Sequence, residues 1–193
     1  QKAAVIAQLD SYYPSDSAFE NIELSNVLGY LQTPDMITRS VELITNAPTQ
    51  EEKIAIAKNI RFVKQGWTDE SEKKLFIWFS RAAGYKGGAS FNNFINEIKK
   101  DHLARLSAKR KKALASIINA KPVTKNPLSS NRQLKFVKNW QMKDLTPLLG
   151  SGLEGNRDFK NGREMFATAT CYACHRFNEE GGGIGPDLTS AGG

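Results

Sequence analysis

Thr49-Gln50-Glu51-Glu52-Lys53-Ile54-Ala55-Ile56-Ala57-Lys58-Asn59-Ile60-Arg61-Phe62-Val63 sets the fold class of this chain. Thr49 and Glu52 have the spacing of a capping box, in which each side chain satisfies a free backbone N–H at a helix start. Ile56, Ile60 and Val63 follow on one face of a 3.6-residue period. The stretch predicts a short amphipathic helix that buries one broad side.

The same pattern repeats on both sides. Leu24, Val27, Leu28 and Leu31 fall at i, i+3, i+4, i+7, behind a second capping-box pair, Ser17 and Glu20. Thr33 and Pro34 are expected to open the next helix as N-cap and first-turn proline, with Ile37, Val41 and Ile44 along it. Gly66 is expected to stop the helix quoted above. Thr68 then caps one carrying Leu75, Trp78, Phe79 and Ala82. Gly84, Gly87 and Gly88 interrupt the pattern, Phe91, Phe94, Ile95 and Ile98 restart it, and Ser107 begins a last short helix with Leu114, Ile117 and Ile118. Short helices with short connections, each apolar on one face, predict an all-α fold: a HEAT-like antiparallel helical stack over residues 1–120. No repeated sequence of fixed period accompanies it.

Residues 121–157 read as a linker with short connecting elements. Pro122 and Pro127 stand among Ser, Thr and Asn, and Gly150, Gly152 and Gly155 mark a later loop. Between them Leu134, Phe136, Val137 and Trp140 fit strand or helix, and Leu145, Leu148 and Leu149 suggest one or two helical turns. Asp158 opens a final helix with Phe159, Gly162 and Phe166, and a glycine-dense loop ends the chain.

The 193 residues, 40% of them apolar, suffice for one domain or for a helical part with a small second one. No apolar run is long enough to span a bilayer. The chain starts at Gln1 without a basic-then-apolar leader, so any export signal is expected to have been removed or never to have belonged to it. The formal net charge of +7 is unevenly spread: Lys99 to Lys138 hold twelve Lys or Arg and one acid, Asp101. Such a segment is a solvated face or meets an anionic surface. An acidic redox partner, an acidic neighbouring domain and anionic lipid headgroups are the sharper readings. Nucleic acid is not expected, since no recognition motif accompanies the charge.

The chain has only two cysteines, and they stand in Cys171-Tyr172-Ala173-Cys174-His175. C-x-x-C-H is the attachment signature of a c-type haem. Two thiols three positions apart reach the two vinyl groups of one porphyrin edge, and the next residue projects an imidazole toward the iron. The expected cofactor is one covalent haem c, with His175 as proximal iron ligand. A thioredoxin-like site would need a strand before the motif and a helix after it, whereas this pair follows a helix and precedes a glycine-rich loop. A structural zinc site needs four ligands, and the available set is Cys171, Cys174, His175 and the distant His102.

Around this motif the chain resembles a class I cytochrome c domain, over residues 158–193. Gly162-Arg163-Glu164-Met165-Phe166 looks like that family's first helix, where Gly permits a close helix crossing and the aromatic packs on it. Gly185-Pro186-Asp187-Leu188-Thr189 resembles the loop whose proline carbonyl accepts a hydrogen bond from the proximal imidazole. The resemblance implies that Pro186 orients His175, that Leu188 packs on the haem face, and that Tyr172 and Ala173 line the attachment turn. More broadly, residues from about 16 to 193 resemble the C-terminal part of large exported bacterial haem proteins. These join a sugar-dehydrogenase-like propeller to HEAT-like helices and a terminal cytochrome c domain. Gln65-Gly66-Trp67-Thr68, Gly84-Tyr85-Lys86-Gly87-Gly88 and Phe136-Val137-Lys138-Asn139-Trp140 carry that likeness. No dehydrogenase activity is expected of these residues themselves.

A class I domain has a second axial ligand, usually Met, well downstream of the motif, and neither Met nor His follows His175 here. The chain is therefore expected to be cut short of its distal Met and closing helix. Met165, Met142 and Met36 are weaker candidates. His102 continues the face of Phe91, Phe94, Ile95 and Ile98 and reads as a hydrogen-bonded core histidine, with a ligand role as the alternative. The expected function is electron transfer, the helical part serving as scaffold or docking surface for a redox protein or an attached dehydrogenase domain. The alternatives are a haem enzyme or ligand-binding protein with an open axial position, and a scaffold stapled by haem. Haem is attached to C-x-x-C-H outside the cytoplasm, so a periplasmic or otherwise extracytoplasmic location is expected.

Overall fold

The computed structural model describes residues 1–85, 87–120, 135–155, 157–189 and 191, with the backbone alone at 151–154. Lys86, the expected linker residues 121–131 and Leu134 lie outside the described residues. The chain divides into two compact units, Gln1–Thr124 with Thr189–Gly193, and Lys125–Leu188. Among the described residues the fold is all-α except for one minimal hairpin, and no helix is long and apolar enough to cross a membrane.

The first unit contains α1 (Lys2–Asp10), α2 (Ala18–Tyr30), α3 (Met36–Asn46), α4 (Gln50–Ile60), α5 (Asp69–Ala82), α6 (Phe91–Arg105), α7 (Ala108–Ala113) and α8 (Ala115–Ile118). Helices two apart in sequence lie side by side: α2 on α4 and α4 on α6, then α3 on α5. α8 closes the second row against α5. The core between them is formed by the predicted apolar faces, with Leu28, Ile37, Val41, Ile44, Ile56, Ile60, Leu75 and Phe79 all buried. Each such side chain contributes roughly 1.5–3 kcal/mol relative to an exposed one.

The caps explain where the helices begin. Thr68 and Ser71 form a reciprocal capping box at the start of α5. Thr49 accepts from the Glu52 N–H at 3.3 Å. The Glu52 carboxylate does not return to the cap. It accepts from Asn21 Nδ2 at 3.1 Å and so ties α4 to α2. Ser17 likewise accepts from the Glu20 N–H while the Glu20 carboxylate takes the Ser15 hydroxyl. Ser107 caps α7 through the Arg110 N–H.

Several expectations are corrected. Thr33 is not the N-cap of α3: the helix starts at Met36, Pro34 and Asp35 form a turn, and Thr33 is buried. Gly66 does not stop α4, which ends at Ile60, leaving buried Val63 beyond it. Gly66 instead has φ +85° and lies against the Pro34 backbone, so that close a Cβ would collide with the carbonyl. Val27 and Phe94 are exposed despite their periodicity. The last predicted helix is broken at Leu114 into α7 and α8.

His102 is the core histidine of this unit, fully enclosed, with Nε2 donating to the Ala57 carbonyl at 2.9 Å. The rings of Trp67 and Phe79 each lie 5.6 Å from its own. Burial pushes its pKa down from 6.5 to about 3, with Arg105 and Arg61 adding to the effect. The unfolded chain therefore takes up a proton below pH 6.5 that the folded chain refuses. This residue should lower the stability of the helical unit by about 1.4 kcal/mol per pH unit as pH falls from 6.5 toward 3. Thermal melts at pH 7 and pH 5 check this, and His102→Gln should remove most of its share of the pH dependence; an unaltered slope would contradict the assignment.

Candidate haem attachment site

The second unit contains α9 (Met142–Glu154), α10 (Phe159–Thr168), a single 3-10 turn at Cys171–Ala173, and β1 (Arg176–Phe177) paired antiparallel with β2 (Glu180–Gly181). Residues 135–140 are neither strand nor helix, and Phe136, Val137 and Trp140 are exposed. α9 is longer than the expected one or two turns and runs through Gly150 and Gly152, where the sequence predicts a loop.

Asp158 caps α10 by accepting from the Asn161 N–H at 2.8 Å. Gly162 lies open, and a Cβ there would meet nothing within 4 Å, so the close crossing implied by the family resemblance is absent among the described residues. Phe166 instead packs edge-to-face on Tyr172, ring centroids 4.7 Å apart. This contact fixes the helix against the attachment turn. Tyr172 is almost fully buried, which raises its phenol pKa. Arg163 reaches from α10 over the Tyr172 ring and pairs with Glu180 on β2.

Thr170, with φ 62°, ends the helical path and starts the turn. The His175 N–H donates to the Cys171 carbonyl at 2.9 Å, closing the C-x-x-C-H segment on itself. Asn178 and Glu179 both have positive φ, as a two-residue hairpin requires, and return the chain to Gly181. Gly182 N–H then donates to the Tyr172 carbonyl at 2.8 Å and Gly185 N–H to the Cys174 carbonyl at 2.9 Å. The glycine-rich loop is thereby laid along the motif.

His175 Nδ1 stands 3.0 Å from the Pro186 carbonyl. A carbonyl only accepts, so Nδ1 carries the proton, and Nε2 keeps its lone pair. Gly185 lies against the imidazole face: a Cβ there would come within 2.7 Å of Cε1 and 2.8 Å of Nδ1. Only glycine leaves the ring its place. Cys171 is half-buried and Cys174 exposed, both as free thiols. Leu188 is half-buried, and Ile184 and Phe177 are exposed apolar side chains of the same loop and hairpin.

These residues fit a covalently attached haem. Two unpaired thiols stand at the vinyl-matching spacing, one imidazole is held in the tautomer that leaves Nε2 for iron, and Gly185 keeps a side chain off its ring. Cys171, Cys174, His175 and Pro186 are gathered by the turn and loop, Leu188 follows on the same loop, and Tyr172 faces inward to Phe166. Among the described residues no group of three or more His, Cys, Asp or Glu is placed to hold a metal ion between them, so the four-ligand zinc arrangement is not formed. His102 and Met36 are enclosed in the core of the helical unit, while Met142 is exposed and Met165 half-buried in the second. The sequence marks Gly185 only as part of the proline loop and does not point to Arg176 or Gly181. The density of glycines there indicates only a loop.

Comparison with protein families matches residues 159–193 to the family described as cytochrome c. No curated protein and no solved structure matches the chain. The matched residues include the whole attachment turn, the hairpin and the glycine-rich loop, so residues 159–193 are similar to a cytochrome c domain, a family whose cofactor is covalently bound haem c.

Proposed function

We propose that this chain transfers single electrons through one haem c held by Cys171, Cys174 and His175, with the HEAT-like helical unit as scaffold and docking surface. The observation that carries the reading is the His175–Pro186 hydrogen bond at 3.0 Å beside two free thiols. Haem c, when bound, supplies a one-electron iron couple. The protein's part is to hold and tune. Cys171 and Cys174 would anchor the porphyrin edge, and Pro186 keeps the proton on His175 Nδ1, so the imidazole is aligned with Nε2 toward iron. Leu188, as the family resemblance implies, would offer apolar surface to the ring, and Tyr172, packed on Phe166, stiffens the turn. Attachment at such a motif supports an extracytoplasmic location.

A reversible one-electron optical titration of the purified protein is the expected result. Rapid carbon monoxide binding to the reduced form would favour the open-site alternative, a haem enzyme or ligand-binding protein.

The partner we propose is an acidic redox protein, or an acidic face of an attached dehydrogenase domain, meeting the basic segment Lys99 to Lys138. Within it, Arg110 is engaged by Glu72 and Asp69, and Lys99 Nζ by the Ile118 carbonyl. Lys109, Lys111 and Lys112 are exposed on α7 and carry the steering charge. Replacing these three by glutamine should slow association with an acidic partner by about tenfold at low salt and flatten its salt dependence. An unchanged rate in stopped-flow would count against this surface.

A further inference from the structure

We propose that Arg176 and Asp187 form a charge pair that sets the reduction potential of the site through the field at His175, an inference that rests on the haem reading above. The two residues are placed for it by the backbone. His175–Arg176 runs beside Pro186–Asp187: the imidazole donates to the Pro186 carbonyl, Arg176 and Asp187 form a parallel bridge, and the Leu188 N–H donates to the Arg176 carbonyl at 2.9 Å. Arg176 Nε then faces Asp187 Oδ2 at 3.6 Å.

The pair is unequally buried. The Arg176 side chain is 9% exposed and that of Asp187 35%. A guanidinium is not taken out of water without a reason, and hydrophobic replacement of such a pair is often no less stable. Arg176 follows His175 directly in sequence, and its side chain is only 9% exposed, where a unit charge is poorly screened. Arg176 favours the site holding one more electron, and Asp187 offsets that preference from the wetter side. Neither group needs to gain or lose a proton when the electron arrives, since guanidinium stays protonated throughout. The bias is purely electrostatic, and the electron itself comes from and returns to the external partner.

A role confined to holding Pro186 in place makes a different prediction. Breaking the pair from either side would then loosen the same hydrogen bond and move the potential in one direction. An electrostatic role moves it in opposite directions. Arg176→Gln removes the positive charge of the pair and should lower the potential. Asp187→Asn removes the negative charge of the pair and should raise it. Each shift should be about tenfold in the one-electron equilibrium constant, or about 59 mV. The double variant should return close to the parent, and Arg176→Lys, which keeps the charge, should remain near it.

The test is a spectroelectrochemical titration of the full chain and these four variants, with dithionite supplying and ferricyanide removing the electron, and covalent haem measured on each sample. Opposite shifts with cancellation in the double variant support the proposal. Haem-bearing variants whose potentials are unmoved, or move together, overturn it. Because Asp187 is the more exposed partner, Asp187→Asn decides the matter alone if Arg176→Gln fails to retain haem: a raised potential supports the pair and an unchanged or lowered one overturns it. A parent protein without covalent haem contradicts the proposed function itself and removes the basis of this inference with it.

Discussion

Replacing Cys171 and Cys174 together by alanine should leave a protein from which acid–acetone extracts all haem, whereas the parent should retain it. The thioethers are the part of the attachment that does not depend on folding, so their loss converts a permanent cofactor into one held only by His175 and apolar contact. The geometry makes the two thiols equivalent in kind but not in setting, Cys171 half-buried within the turn and Cys174 exposed. Neither belongs to the core of the helical unit, which should keep its helix content and its thermal midpoint in the variant. His175→Ala separates the two functions of the motif. It should keep the extraction-resistant haem and lose the spectrum of a histidine-ligated iron. A double-alanine variant that still resists extraction would contradict the attachment assignment.

Glu72→Ala should cost the helical unit about 3 kcal/mol or more, a fall of roughly 10 °C in its thermal midpoint. Glu72 sits in the first turn of α5, nearly buried, where its charge also suits the positive end of the helix dipole. One oxygen accepts from Arg105 Nη1 at 2.9 Å and the other from Arg110 Nε at 2.8 Å. A single carboxylate thus joins α5, α6 and α7. Arg105 lies over the Trp67 ring at 3.6 Å, and burial depresses its pKa while Glu72 opposes that effect. Without the carboxylate, an enclosed guanidinium loses its counter-charge, and that is the main cost. Replacing Glu72 and Arg105 together by methionine should recover most of the loss, because the partner charge goes as well. Differential scanning calorimetry on the three proteins checks this. An unchanged midpoint in Glu72→Ala would show that Arg110 and Asp69 hold α7 without it.

Much of this architecture was legible in the sequence, and the reasons lie in particular residues. Thr68, Ser107 and Asp158 cap helices because their short oxygens reach backbone N–H groups two or three residues on, a local rule that tertiary packing seldom overrides. Ile56, Ile60, Leu75 and Phe79 are buried as their periodicity requires. Thr33 and Gly66 were misread because their roles are non-local. Gly66 is required by the Pro34 backbone lying against it, and no local pattern announces a contact across 32 residues. α9 was underestimated because glycines at 150 and 152, together with Pro147, argue against a helix on propensity alone.

The attachment site divides in the same way. Cys171, Cys174 and His175 are adjacent in sequence, so their chemistry is visible there. The Pro186 carbonyl, the Gly185 face and the Arg176–Asp187 pairing depend on a hairpin whose turn residues, Asn178 and Glu179, adopt positive φ without glycine. That turn brings the loop back to the imidazole; the Pro186 contact is implied by the family resemblance, whereas the Gly185 face and the Arg176–Asp187 pairing are visible only in the folded geometry. Arg163 and Glu180, which join α10 to the hairpin, were likewise invisible until both elements were placed.

The claim on which the rest depends is covalent haem at Cys171 and Cys174. Its most direct test is the intact mass of the denatured protein, purified from a host that matures c-type cytochromes, paired with its reduced-minus-oxidised visible spectrum. The account predicts a mass excess of one haem and a c-type spectrum that survives acid–acetone extraction. An unmodified mass with two free thiols would contradict it.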